Sequence, residues 1–435
     1  MKIHFIGIGG IGISGLAKYM HFKGHRVSGS DISETVITRS MQDLGIPVTV
    51  PHSADAITDQ DLVVHSAIIR PDNPEVVAAK AKGIEVLARR EALLKILDDR
   101  KVYSVAGAHG KSTTTAILAS IMEGSAIIGA ESKAFGSNVR YDVDSDVMLF
   151  EADESDGSFL NSNPYCAIVT NAEPEHMEYY DYSYERFYDS YRQFIESAEL
   201  RVINAEDPFL STLTMDAIRL YPSKDIKEIE YVLIDEEPHT RFRLKDLGTF
   251  DVWGFGEHIA LDAALTILAA AQSMDLEAIR NNLLQFKGIK KRFDIINKHA
   301  ESIMIDDYGH HPTEIRATLQ SVKEYAKLKG FEKITAIWQP HKYSRTIDNL
   351  DAFIKCFEGA QELIILPVWS AGEKARPIDF EEKFSRYKPM MADRLRRDHD
   401  HLNIVKDNKV LKTLDKGLIV SFGAGDITYQ MRGSK

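Results

Sequence analysis

A lysine followed by a hydroxyl residue, behind two glycines, suits a phosphate chain, and the sequence carries this arrangement as Gly107-Ala108-His109-Gly110-Lys111-Ser112-Thr113. The amides of such a turn cradle phosphate oxygens, the Lys111 ammonium balances their charge, and the Ser112 hydroxyl reaches Mg²⁺. A second turn, Gly7-Ile8-Gly9-Gly10-Ile11-Gly12, leaves an apolar strand at residues 3–6. Its glycines let backbone approach a diphosphate at a helix N-terminus, and Asp31, closing the next strand, is placed for a ribose hydroxyl. Alone, this second turn equally fits an NAD-dependent dehydrogenase. A dehydrogenase has no need of the Lys111 loop.

Carboxylates lie where the Lys111 loop needs them. The apolar strand 147–150 delivers Glu151-Ala-Asp153-Glu154-Ser-Asp156, and Glu151 is the expected Mg²⁺ ligand. Asp153, Glu154 and Asp156 either orient water or substrate or are simply solvated. Another apolar strand, 167–169, ends in Thr170-Asn-Ala-Glu-Pro-Glu-His176, which puts His176 on the same edge. Magnesium prefers oxygen donors, so His176 is expected to act on it directly or through water.

The elements that must position these residues read as strands alternating with helices. Strands at 3–6, 26–28, 47–50, 62–64 and 84–87 form a first, Rossmann-like α/β block over residues 1–97. A second block, 98–290, has the strand–loop–helix order of a P-loop nucleotide fold. A third, 291–435, follows the basic stretch 288–293 and runs strand, helix, strand through 303–305, 313–328 and 334–338, with later strands at 363–366 and 418–422. The expected class is α/β in three domains: Rossmann-like, P-loop ATPase-like and Rossmann-like. A length of 435 residues accommodates them.

Composition removes several classes of function. Hydrophobic residues at 44% and charged residues at 27% exclude wholesale disorder. With 53 basic against 65 acidic residues, the formal charge of -12 has the wrong sign for a sequence-independent nucleic-acid binder. Cys166 and Cys356, far apart, suit neither a disulfide framework nor a cysteine zinc site. No apolar run reaches the roughly 18 residues of a membrane span, and a cytoplasmic monomer or homodimer is expected.

Taken in order, the glycine loop with Ser14-Gly15, Ala106-Gly-Ala-His-Gly-Lys-Ser-Thr-Thr-Thr115, the Glu151 turn and the His176 turn resemble the Mur ligase family over nearly the whole chain. Asp306-Asp-Tyr-Gly-His-His-Pro-Thr313, Gln339-Pro-His-Lys-Tyr-Ser-Arg345, Ser370-Ala-Gly-Glu373 and Gly423-Ala-Gly-Asp-Ile427 resemble its alanine-adding branch. Several sister ligases use a carbamylated lysine after the equivalent of His176; none lies between Lys133 and Lys224 here, in keeping with that branch.

The resemblance implies that the first loop holds the UDP of UDP-N-acetylmuramate rather than NAD, through Gly7, Gly9, Gly10, Ile11, Gly12, Asp31 and Ser66. It assigns ATP to the stretch Gly107, Ala108, His109, Gly110, Lys111, Ser112 and Thr113, with His258, Arg292 and Asp307. L-alanine falls to Tyr308, His310, His311, His341, Lys342 and Arg345, and Mg²⁺ to Ser112, Glu151 and His176. Catalysis is expected of Lys111, Glu151, His176, His341 and Arg345: the muramoyl carboxylate attacks ATP, and the amine of alanine then attacks the acyl phosphate. Ile259 and Asp262 stand where the family has asparagines near adenine, and Lys342 where arginine is usual.

Overall fold

A computed structural model describes residues 1–433; the last two positions of the expected third domain, 434 and 435, lie outside the described residues. The chain divides into two compact units. One comprises Met1–Glu228, Phe242–Val252 and Ala260–Lys287; the other comprises Ile229–Arg241, Trp253–Ile259 and Gly288–Lys435.

The first unit holds two sheets. The strands Lys2–Ile6, Arg26–Ser30, Val48–Thr49, Leu62–His65 and Glu85–Ala88 form an all-parallel sheet with Lys2–Ile6 at its centre. A seven-stranded sheet follows, in which Lys101–Ala106 lies between Pro164–Val169 and Val147–Glu151, parallel to both. Strands covered on both faces must be apolar throughout, which is why 147–150 lack polar residues. The two sheets share one core: Ile13, Leu16 and Tyr19 belong to the same cluster of buried side chains as Ile127, Val139, Met148 and Phe150.

Register builds the functional edges. Val105 pairs with Glu151 and Ala106 with Val169, so the Lys111 loop, Glu151 and Thr170 leave neighbouring strands side by side. In the five-stranded sheet Ile6 pairs with both Ser30 and His65, which sets Gly7, Asp31 and Ser66 on one edge. Ligands of open α/β sheets bind at such carboxyl ends.

The second unit is built on a six-stranded sheet in which Ser302–Asp307, Gly417–Phe422, Ile334–Trp338 and Glu362–Ile365 run parallel in that order. Asp294–Lys298 borders it antiparallel. The helix Pro312–Lys329 shows local sequence agreeing with its ends: proline at the first position, a reciprocal His311–Glu314 cap, lysines in the last turn, and Gly330 closing it at φ 74°. Arg394–Asp398, His401–Lys406 and Lys409–Leu414 add an antiparallel meander. Sequence reading missed this meander, because its strands interleave charges and so lack the clean alternation of a half-buried sheet. Among the described residues no helix is long and apolar enough to cross a membrane.

Candidate functional site

Gly107 and Gly110 adopt φ 143° and 83°, and neither has room for a side chain. A Cβ on Gly107 would overlap the Thr170 hydroxyl, and one on Gly110 would lie 2.7 Å from the Asp262 carboxyl. The loop is held from the neighbouring strand end: Thr170 Oγ1 donates to the His109 carbonyl at 2.6 Å, and the His109 amide donates to Asn171 Oδ1 at 3.1 Å. Asn171 Nδ2 returns a bond to the same carbonyl at 3.0 Å. The His109 ring faces Glu173 at 3.3 Å. Thr170 and Asn171 thus fix the loop's shape. Their place beside Ala106 in the parallel pair was the signal that sequence reading passed over in favour of His176.

Lys111, first residue of the helix Lys111–Ile121, turns its ammonium back over the loop. It donates to the Gly107 carbonyl at 2.5 Å and to Glu154 Oε1 at 3.0 Å, and the ion pair also brings it 2.9 Å from Oε2. Burial alone would lower its pKa, but Glu154 and Glu151 outweigh that and raise it, so the lysine is charged. Glu154, 1% exposed, receives a second constraint where the Tyr180 hydroxyl donates to its carbonyl at 2.6 Å. Of the three acids whose role the sequence left open, Glu154 is therefore built into the loop.

Glu151 takes one hydrogen bond on each oxygen: Ser112 Oγ donates to Oε1 at 2.9 Å and the Gly129 amide to Oε2 at 2.6 Å. Burial pushes its pKa up, against the pull of Lys111. Ser112 and Glu151, expected together from sequence, are together. His176 is not joined to them: it is exposed on the turn after Asn171, at φ 52°, and among the described residues its side chain has no hydrogen-bond or ion-pair partner. Among the described residues no three His, Cys, Asp or Glu side chains form a metal cage. A hydroxyl and a carboxylate are nonetheless hard oxygen donors of the kind Mg²⁺ prefers.

At the first loop, Gly7 adopts φ 83° and packs against Ser66, 3.1 Å from a Cβ built there. The helix Ile11–Phe22 starts at Gly10 with no side-chain cap, leaving its first amides to an anion. Asp31 does not reach outward; it accepts from the amides of Gly9 and Ile32, each at 2.8 Å, and so braces the loop. Asp262, in the position expected near adenine, is 4% exposed, and burial raises its pKa well above the usual carboxylate range.

The second unit collects its candidates at the ends of Ser302–Asp307 and Ile334–Trp338. Arg292 pairs with Glu314 at 3.3 Å and lies 5.8 Å from the centre of the Tyr308 ring. Tyr308, His310 and His341 follow in edge-on succession, with ring centres 5.5 and 5.7 Å apart, and Arg345 Nη1 donates to His341 Nδ1 at 2.9 Å. Lys342 precedes the helix Tyr343–Asp348 at φ 69°, a conformation that a non-glycine residue holds only under constraint. His311 caps the helix Pro312–Lys329 and does not join the ring chain. Asp307 is an anchor: its carboxylate accepts from the amides of Phe293 and Gly309, each at 2.8 Å, and burial pushes its pKa up to about 6. His258 is exposed, and among the described residues its side chain has no hydrogen-bond partner.

His341 is neutral near pH 7, because burial first, then His310, Arg345 and Lys342, lower its pKa to about 4. Its stability contribution is therefore complete above the unfolded value of about 6.5 and is lost as pH falls from there toward 4. Between pH 7 and 5 the thermal midpoint of the wild type should drop further than that of His341→Gln. An equal drop in both proteins would show that this imidazole is not held neutral.

Three family models match the chain in succession: the catalytic domain of the Mur ligase family at residues 2–101, the Mur ligase middle domain at 105–223, and the Mur ligase glutamate ligase domain at 291–417. The UDP-N-acetylmuramate--L-alanine ligase of Campylobacter curvus is 56% identical over 432 residues, covering 99% of each chain. The Helicobacter pylori (strain P12) protein of that name is 55% identical over 435 residues, covering 99% of this chain and 96% of its own. Among solved structures, the UDP-N-acetylmuramate-alanine ligase of Thermotoga maritima superposes with a TM-score of 0.83 at 28% identity, over 99% of this chain and 97% of that one.

Proposed function

The chain belongs to the Mur ligase family, and from that premise we propose that it joins L-alanine to the carboxylate of UDP-N-acetylmuramate, with ATP converted to ADP and phosphate, in cytoplasmic peptidoglycan precursor synthesis. The observation that carries this reading is the pairing of a charged Lys111 with a Ser112–Glu151 oxygen pair in one phosphate loop, on a chain with a second glycine loop for another diphosphate. A dehydrogenase accounts for only one of these loops.

In this reading residues 1–97 take the UDP-substrate, 98–290 take ATP, and 291–435 bring the amino acid. Attack of the muramoyl carboxylate on the γ-phosphoryl group brings two anions together, and the Lys111 ammonium screens them as it exchanges Glu154 for phosphate oxygens. Ser112 and Glu151 would hold Mg²⁺, with His176 adding to the site through water. When bound, the ion supplies further neutralisation of the phosphates. Arg345 and Lys342 offer charge to the alanine carboxylate or the transferred phosphate. With Nδ1 accepting from Arg345, the neutral His341 carries its proton on Nε2 and serves as a donor. The protein works as a monomer or homodimer.

The test is phosphate release from ATP and Mg²⁺ with UDP-N-acetylmuramate, comparing L-alanine, other amino acids, the stem tripeptide and no acceptor, with product mass read in parallel. Alanine-dependent release with the matching mass gain is expected. Release with the tripeptide alone would move the protein to a recycling activity. A one-methyl pocket discriminates by only about 1–3 kcal/mol, so slower turnover of glycine is also expected.

A further inference from the structure

Arg89 opens the helix Arg89–Ile96, immediately after the strand Glu85–Ala88 at the carboxyl edge of the five-stranded sheet. Its side chain is 14% exposed and lies across Gly12, where a Cβ would come within 3.1 Å of Cζ and 3.2 Å of Nη1. The same Nη1 donates to Asp153 Oδ2 at 3.0 Å and stands 3.8 Å from Asp156. Among the described residues its Nε and Nη2 donate to no protein acceptor.

Asp153 is a rigid receiver for that contact. Its Oδ1 accepts from the Ser155 amide at 3.0 Å, and its carbonyl accepts from the Phe159 amide at 2.9 Å and the Ser158 hydroxyl at 3.2 Å. Burial alone would raise its pKa, but Arg89 and Ser155 hold it down at about 2, so the pair is charged at neutral pH. The next residue is Glu154, which grips Lys111. A continuous path therefore runs from Gly12 through Arg89, Asp153 and Glu154 to Lys111, and every link is a side-chain contact or a single peptide bond.

We propose that Arg89 is a positioning residue that couples the two glycine loops, so that filling one tightens the other. The proposal rests on the reading that the first loop takes the UDP diphosphate and the second takes ATP. A diphosphate at Ile11 and Gly12 meets the unused N–H groups of the guanidinium and fixes its plane. The Asp153–Glu154 turn is then fixed in the arrangement from which Glu154 releases Lys111 to the phosphates. Coupling of this kind is reciprocal, so the nucleotide must tighten UDP-substrate binding by the same factor.

Calorimetry of the full-length protein tests this, titrating UDP-N-acetylmuramate with and without a non-hydrolysable ATP analogue and Mg²⁺, and then in the reverse order. The wild type should show each ligand tightened at least fivefold by the other. In Arg89→Ala and in Asp153→Asn the factor should fall to within twofold of one, with no further loss in the double variant, and Arg89→Lys should recover most of it. A role confined to stability would lower the thermal midpoint and leave the factor intact. Persistence of coupling in Arg89→Ala, or its absence from the wild type, overturns the proposal. A wild type that binds one ligand but not the other instead overturns the assignment of the loops, and the coupling with it.

Discussion

Lys111→Ala should reduce kcat by about a thousandfold or more, the scale on which removal of a preorganised charge facing a transferring group is felt. The ammonium sits at the loop, held by the Gly107 carbonyl and by its ion pair with Glu154. The alanine variant leaves Glu154 buried without that cation, so the loss should appear in ATP affinity as well as turnover. Affinity for UDP-N-acetylmuramate alone should stay within about threefold, because its loop begins the unit's other sheet. Calorimetry with each ligand separately and single-turnover phosphate release read both effects. An equal collapse of both affinities would refute the assignment of separate loops to separate nucleotides.

Glu151→Gln should separate activity from stability in opposite directions. The carboxamide keeps the shape and one acceptor oxygen but loses the negative charge that a Mg²⁺ ligand supplies. Turnover should fall about a hundredfold or more, and half-saturation by Mg²⁺ should move at least tenfold higher. Burial pushes the Glu151 carboxyl up, so the folded state pays for its ionisation at pH 7. Removing that charge should leave the thermal midpoint unchanged or raise it, as happens where a site is maintained at the expense of stability. A midpoint lowered by many degrees would mean that the carboxylate serves chiefly to hold Ser112 and Gly129 in place.

The parallel strands were legible because burial on both faces leaves them mostly apolar: 3–6, 102–106, 147–150, 303–305, 334–338 and 418–422 all lie in strands of the structure. The charged meander at 394–414 was not, since charges interleave its strands and hide the alternation that marks a half-buried sheet. The Lys111 loop was legible because its chemistry is local and contiguous. Arg89 carried a fainter mark, its place one residue past a strand at a sheet's carboxyl edge, and only tertiary structure shows it reaching both Gly12 and Asp153. Asp31 and Asp307 carry a role that no local rule announces, as acceptors for loop amides.

The grip of Glu154 on Lys111 makes the resting loop its own competitor. Any anion entering must displace an internal carboxylate already in contact with the lysine, and that exchange returns little when the newcomer brings only one or two charges. Inorganic phosphate is such a newcomer, and it is also a product. With ATP in this loop as proposed, the exchange should weaken product inhibition by phosphate more than binding of a magnesium-loaded triphosphate, which brings further oxygens for the loop amides.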